Sequence, residues 1–578
     1  MAESSRSRSS SSSRTTATNS DESSSSPITI LAQDHLFSIL LLLPIESILC
    51  FAMTCRKLKF LAYSDSLWES VCRRDWGNFP VDALKASNSV QGIHWKKLYQ
   101  QVHQLDSVYC HKLLVETPDG DEVLPSPRAS HSLNFVNGCL VLFGGGCEGV
   151  GGFVLARWPM LELVSTPARG VNYTHFLYIG HLICVPFNLC AVHSCICQPT
   201  DRDSSVHQWV KILLRRHLDD TWMAYVGNDF RKTLKWQKTD SGIPSGRFGH
   251  SCVVIGDSLI LFGGINDRGI RQNDTWVGQV ILQETPGITL SWRLLDVGVV
   301  FPPPRGAHAG CCLDNKRMLI HGGIGLSGFR LGDTWVLDLS ENLCFGTWQE
   351  IVTHPFPPSR SGHTLTHIGG TQTILFGGRG SGYEVLNDVW LLSASEGHWR
   401  WIQQLFDVGN VPQGFSLARV GHSANFILGG RLLIYGGEDT DRHRKDDFWV
   451  LDISLMPSIK MRPSNLQSKG LLRKMWRRLE SMGEKPNCRS FHRACVDPSG
   501  RYLYVFGGMV DGLLQPSEPS GLSNSRLAYI LWKATMEGAR LHGTPIPVKR
   551  QYSLVEKWCI VMQLMTHHGN RMMSKLKG

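Results

Sequence analysis

Six times along the chain an Arg-x-x-His precedes a short apolar run that closes on paired glycines. The runs are LVLFGG ending at Gly145, LILFGG at Gly264, MLIHGG at Gly323, TILFGG at Gly378, LLIYGG at Gly437 and LYVFGG at Gly508. Their leading pairs are Arg128/His131, Arg247/His250, Arg305/His308, Arg360/His363, Arg419/His422 and Arg489/His492. From His to the first Gly the gap is 13, 13, 14, 14, 14 and 15 residues. In four copies an Asp-x-Trp follows ten positions after the second Gly, at Asp274/Trp276, Asp333/Trp335, Asp388/Trp390 and Asp447/Trp449. Spacing this constant marks an internal repeat of about 55–60 residues.

Each unit reads as four short strands. In the fourth copy these are HTLTH (363–367), TILFGG, DVWLLSA and WRWIQQL (399–405), apolar or β-branched stretches bounded by Gly, Pro or Asp turns. Paired glycines permit positive φ and close chain approach where a strand is expected to leave the sheet. A Trp at fixed offset offers a large apolar body to wedge between neighbouring sheets. One four-stranded sheet cannot cover both of its faces, whereas radial stacking buries each against the next, which is a β-propeller.

The motif set Arg-x-x-His, Gly-Gly, Asp-x-Trp resembles kelch repeats over roughly residues 107–512. The resemblance implies an all-β, six-bladed kelch propeller, taken here as residues 107–536. Two places depart from the pattern. In the first unit 75 residues separate Gly145 from Asp220-Thr221-Trp222, so a segment at about 149–216 is inserted between two strands. It reads either as a real insertion or as a gene-model artefact such as translated intron sequence. Its Cys184, Cys190, His193, Cys195 and Cys197 fit no two-by-two zinc spacing. After Gly508 no Asp-x-Trp appears; LAYILW (527–532) is a candidate replacement strand, and 537–578 is an irregular tail. SVYCHKLLV (107–115) is placed to supply the last strand and latch the ring.

Residues 27–76 are different: Leu36, Ile39, Leu40 and Leu43 share one helical face, Pro44 breaks it, and Ile48, Phe51, Ala52 and Cys55 follow at similar spacing. The bland reading is a small helical core that binds nothing, yet about 50 residues are few for independent stability. Leu31, Asp34, Leu36, Ile39-Leu40, Leu43-Pro44, Cys55-Arg56, Leu67-Trp68 and Arg74-Asp75-Trp76 resemble the F-box, although Ala32 and Leu58 stand where proline and tryptophan are usual. That resemblance implies docking on the Skp-type adaptor of cullin–RING ubiquitin ligases, and through it on the cullin. Leu31, Leu36, Ile39, Leu40, Leu43, Pro44, Ile48, Cys55 and Trp68 are the adaptor-binding candidates. F-box followed by kelch repeats is similar to the plant F-box/kelch-repeat proteins, with residues 77–106 as a linker.

Composition narrows the remaining classes. The Ser-rich residues 1–26, with Arg6, Arg8 and Arg14, read as a disordered tail, the alternative being a transit peptide. Residues 459–493 carry ten Lys or Arg against Glu480 and Glu484, which suits a solvated basic loop better than a nucleic-acid patch. The apolar run 36–53 is interrupted by Pro44 and Glu46, so no membrane span is expected. Seventeen irregularly spaced cysteines read as reduced thiols of a cytoplasmic or nuclear protein.

No Gly-x-Ser-x-Gly, His-Glu-x-x-His or phosphate loop occurs, and the iron triad of kelch-type specifier proteins fails because Leu392 stands where Glu384 and Asp388 would need a His. No catalytic residue, metal or cofactor is therefore expected. Histidines that recur once per repeat point to structure. Arg128, Arg247, Arg305, Arg360, Arg419 and Arg489 leave two readings open: a ring on the substrate face that grips an anionic ligand, or hydrogen bonding inside each blade. The expected role is a non-catalytic substrate-recognition subunit holding an unidentified target protein. A kelch scaffold or actin-type binder is the alternative.

Overall fold

In the computed structural model the described residues are 31–87, 92–115, 124–147, 217–226, 233–239, 242–282, 288–395, 397–406, 415–453, 456, 475–510 and 532–538. The Ser-rich tail, the inserted segment with its cysteines, the stretch 457–474, most of LAYILW and the tail beyond Gly538 lie outside them. The chain divides into two compact units, residues 1–75 with 94–96, and residues 76–93 with 97–578.

The first unit is helical. Helices α1 (Gln33–Leu42), α2 (Ile45–Ala52), α3 (Arg56–Ala62) and α4 (Asp65–Trp76) follow one another with turns of two or three residues. Pro44 opens α2, where its missing N–H costs nothing and its carbonyl receives the Ile48 N–H. Leu36 and Leu40 of α1, Ile48 and Ala52 of α2, Leu58 and Leu61 of α3, and Leu67, Trp68 and Val71 of α4 form the interior. The indole of Trp68 donates to the Ala62 carbonyl at 2.8 Å, and Arg74 donates to the carbonyls of Leu41 and Leu43, capping α1. Residues 77–106, read from the sequence as a linker, instead hold two further helices, α5 (Asn78–Ser87) and α6 (Trp95–His103). Helix α5 and residues 97–103 of α6 belong to the second unit, within which Arg431 donates to the carbonyls of Val102 and His103.

The second unit is a β-propeller. Four antiparallel meanders succeed one another; in the fourth, the strands Thr364–Gly369, Gln372–Gly380, Val385–Ser395 and His398–Gln404 pair in sequence order, with Leu365 opposite Leu375, Leu375 opposite Trp390 and Trp390 opposite Gln403. The second strand of each meander is buried almost throughout, because sheets cover it on both faces; this is why it reads as an unbroken apolar run. The fifth sheet has eight strands. Ser423–Ile427, Arg431–Tyr435, Phe448–Asp452 and Trp476–Gly483 are followed by Leu105–Lys112, Trp532–Gly538, Tyr502–Phe506 and Arg493–Val496.

The strand Leu105–Lys112, the first described strand in sequence, therefore lies inside the last sheet, between two strands from the C-terminal part of the chain. It pairs antiparallel with Trp532–Gly538 and parallel with Trp476–Gly483. Trp532–Gly538, which begins at the last residue of LAYILW, pairs with Tyr502–Phe506 in the place of a third strand of the last repeat; residues 527–531 lie outside the described residues.

The paired glycines do something other than end a strand. In the second, third and fourth meanders the strand runs through them by a bulge, for instance between Phe262 and Gly264, and turns only beyond Asn266. Gly263 has φ +65° and a Cβ there would lie 3.0 Å from the Arg305 carbonyl; Gly264 has φ +102° and a Cβ would lie 2.9 Å from the His250 Cβ. Both positions thus exclude side chains for conformational and steric reasons. A ring of backbone bonds closes the hub. Gly249 N donates to Ser130 O, Ala307 to Gly249, Gly362 to Ala307, Gly421 to Gly362, Phe491 to Gly421 and Ser130 to Phe491. Every member sits between the Arg and His of a repeat, and all six have positive φ. The chain is thereby closed through one residue per repeat.

Candidate functional site

The six arginines are internal pins. Arg360 donates to Asp388 through two nitrogens at 2.6 and 2.7 Å, to the Gly377 carbonyl at 3.1 Å and to the Pro358 carbonyl at 2.9 Å, while the Trp390 indole donates to the same carboxylate at 2.7 Å. The same geometry joins Arg128 to Asp220, Arg247 to Asp274, Arg305 to Asp333 and Arg419 to Asp447. Arg489 keeps the bonds to Gly507 and Asn487, and no Asp-x-Trp accompanies it. Burial alone would raise Asp388, but the hydrogen bonds and charge of Arg360 hold it below the ordinary carboxylate range. All six arginines are buried, Arg128, Arg305, Arg360 and Arg419 completely. The reading of Arg128, Arg247, Arg305, Arg360, Arg419 and Arg489 as a substrate-face ring is therefore corrected. The first five spend both arms of the fork on a carboxylate of their own repeat, and Arg489, equally buried, bonds the Gly507 and Asn487 carbonyls.

The six repeat histidines, also buried, surround the axis. Three of the four hydroxyl residues that follow a repeat His bond the next histidine: Ser251 with His308 at 2.7 Å, Thr364 with His422 at 3.0 Å and Ser423 with His492 at 2.9 Å, whereas Ser132 bonds the Phe143 carbonyl. Burial, reinforced by the neighbouring arginines, pushes these imidazoles well below their usual pKa, His308 to about 3. For His363 burial is followed by the effect of His321. They are neutral structural groups around physiological pH.

Trp335, Trp390 and Trp449 lie in apolar clusters that join neighbouring sheets. A second set of tryptophans, on the fourth strands, was not singled out from sequence. Trp292 packs on Phe143 of the preceding sheet, Trp348 on Phe262, Trp401 on His321 and Trp476 on Phe376, with ring centroids 5.0–5.7 Å apart. The signal was available: each partner is the residue just before Gly-Gly. On the side of the hub ring, the turns between second and third strands leave Ile270, Leu326, Phe329 and Tyr383 exposed, with Arg330 stacked 4.4 Å over the Tyr383 ring. In the first meander Gly146 and His217 bridge each other at the position where the other meanders turn.

The nine adaptor candidates in the helical unit divide in two. Leu36, Leu40, Ile48 and Trp68 are at most 2% exposed and form the unit's own interior, which removes them as direct contacts. Leu31, Ile39, Pro44 and Cys55 are exposed, and Leu43 is half-buried. Sequence reasoning passed over Leu42, Met53 and Phe60, which are 70–80% exposed.

A kelch-repeat domain model, described as the KLHDC2/KLHL20/DRC7 Kelch-repeats domain, matches residues 215–378. An F-box/kelch-repeat protein of Arabidopsis thaliana is 50% identical over 507 residues, covering 86% of this chain and 91% of that protein. The chain belongs to the F-box/kelch-repeat protein family. This F-box/kelch-repeat protein is also 27% identical to Adagio-like protein 1 of Oryza sativa subsp. japonica over 82% of its own length and 60% of that relative. Adagio protein 3 of Arabidopsis thaliana is 27% identical, over 78% of this chain and 58% of that relative.

Elsewhere in this F-box/kelch-repeat protein, Asp439, Asp441 and His443 bring three ligand atoms within 4.8 Å on an exposed turn. Asp439 is engaged there, accepting the backbone N–H groups of Asp441 and His443 and pairing with Lys445 at 3.1 Å. No described helix is long and apolar enough to cross a membrane. The twelve described cysteines are free thiols, and burial pushes Cys252 and Cys311 up to about 12, away from thiolate chemistry.

Proposed function

We propose that this chain is the substrate-recognition subunit of a Skp–cullin–F-box ubiquitin ligase, with the helical unit acting as an F-box and a six-bladed propeller carrying the target protein. The eight-stranded sheet then counts as two blades joined edge to edge. The six apolar clusters between successive sheets and the hub ring of six residues support that count. The observation that carries the adaptor role is the surface of the helical unit. Its small interior is already filled, yet Leu31, Ile39, Leu42, Met53 and Phe60 remain in water. On α1, Leu36 and Leu40 are buried while Leu42, on the other side of the helix, and Ile39, at the border of the buried face, are left exposed, so the helix has apolar surface beyond what its own unit covers. The subunit performs no chemistry itself and acts in the cytoplasm or nucleus.

Target capture is assigned to the side bearing Ile270, Phe329, Tyr383 and Arg330, where aromatic and cationic groups stand together as they do at protein interfaces. Co-precipitation with a Skp-type adaptor tests the reading. Ile39→Asp with Leu42→Asp is expected to abolish adaptor binding while leaving the melting temperature of the full chain unchanged, because both side chains are exposed. Phe329→Asp with Tyr383→Asp is expected to keep the adaptor and lose proximity-labelled targets. Adaptor recovered at wild-type levels by the α1 variant would overturn the ligase assignment in favour of a kelch scaffold.

A further inference from the structure

The residue after each repeat histidine is Ser132, Ser251, Ala309, Thr364, Ser423 and, in the last repeat, Arg493. Five of these are small, as befits a position on the inner strands where the sheets crowd together around one axis. The exception is a long cation. A cavity of about 400 Å³ runs along that axis, walled by the inner strands of all the repeats, and Arg493 is part of its lining. No Asp or Glu is among the described residues that line it.

Arg493 differs from the six pins in its partners. Its Nε donates to the His131 carbonyl at 2.7 Å, across the junction between the last repeat and the first. Its two terminal nitrogens have no hydrogen bond or ion pair among the described residues, whereas each of the five pins from Arg128 to Arg419 holds a carboxylate with both. Its charge reaches well across the hub: after burial and the nearby pin arginines, it is a further cause that keeps His131, His250, His308 and His492 neutral. Hydroxyl and amide groups of Ser132, Ser423, Asn134 and Asn425 share the wall. A guanidinium fork without a carboxylate, in a cavity without acidic groups, has positive potential and two parallel donors.

We propose that the axial cavity is a binding site for a small oxyanion, a phosphate group or a carboxylate, held bidentately by the terminal nitrogens of Arg493. The cavity volume is in the range of small-molecule sites, so a compact phosphate ester or a di- or tricarboxylate fits the same chemistry. The site is separate from the exposed turns assigned to target capture. The hub ring, with the Phe491 ring against Gly421, lies between them. An anion bound here ties the last repeat to the first, where the chain closes.

The test uses the full chain in chloride buffer, titrated with inorganic phosphate and, in a separate arm, with citrate at matched ionic strength. Binding is read by calorimetry and by the shift of the melting temperature. The wild-type protein is expected to show saturable binding and a rise in melting temperature with at least one anion, and the responsive arm identifies the ligand chemistry. Arg493→Gln is expected to weaken that binding about tenfold or more, the loss expected when charge-assisted hydrogen bonds are removed, and to erase the thermal shift. Phosphate-dependent protection of Arg493 from phenylglyoxal, read by mass spectrometry on the wild-type chain, supplies a measurement that needs no variant. No saturable binding of either anion, or equal binding by Arg493→Gln, would overturn the proposal.

Discussion

Acidification from about pH 7.5 to about pH 5.5 is expected to cost the propeller about 8 kcal/mol of stability through its six hub histidines, to which the buried His321 adds in the same direction. His131, His250, His308, His363, His422 and His492 are each at most 5% exposed, and burial holds all of them below their ordinary pKa. In the unfolded chain they titrate near 6.5. Below that value the unfolded state binds protons that the folded state refuses, so stability is full above about pH 6.5 and falls as pH drops toward the depressed folded values. One pH unit below 6.5 each histidine contributes about 1.4 kcal/mol in favour of unfolding. Six of them remove a large share of the 5–15 kcal/mol that holds a typical domain together. The pin aspartates do not offset this, since their own depressed pKa values matter only at lower pH. Urea unfolding followed by tryptophan fluorescence across this range measures the loss directly. His363, whose two ring nitrogens have no hydrogen-bond partner, gives the control. His363→Asn is expected to reduce the pH slope below 6.5 by about 1.4 kcal/mol per unit. Equal stability of the wild-type chain at both ends of the range would refute the argument, because it would mean that the hub histidines accept protons without unfolding.

Deleting residues 150–215 is expected to leave the melting temperature equal or higher, since Gly146 already bridges His217 and Arg128 holds Asp220 as the other pins hold theirs; collapse of the propeller on deletion would refute this. Asp388→Ala leaves the Arg360 charge buried without its carboxylate and is expected to cost about 3–5 kcal/mol by chemical denaturation, part of it recovered in the double variant with Arg360→Met. Trp401→Ala opens the contact with His321 between the third and fourth sheets and is expected to cost about 3–5 kcal/mol in the same assay. A cost below about 1 kcal/mol would show that fourth-strand tryptophans are not wedges.

The repeat was legible because its chemistry is local. Strand alternation, the positive φ of Gly263 and Gly264, and the two-residue step from Asp388 to Trp390 all operate within one unit, and the unit recurs. What recurs in sequence does not say which way a side chain points. Arg360 meets Asp388 across 28 residues, and Arg128 meets Asp220 across 92, so only the folded meander shows that these forks are spent inside their repeats. In the helical unit apolar residues occupy more than one side of α1. The sequence pattern placed Ile39 beside Leu40, while the packing of α2, α3 and α4 put Leu40 inside and left Ile39 out. Ring closure was beyond the reach of any periodicity, because the strand Leu105–Lys112 finds its partner more than 400 residues away at Trp532–Gly538. Arg493 combines both cases. Its departure from Ser, Ala and Thr is plain in the sequence, but that it lines an axial cavity with no acidic residue among the described lining is decided by inner strands of all the repeats brought together around one axis.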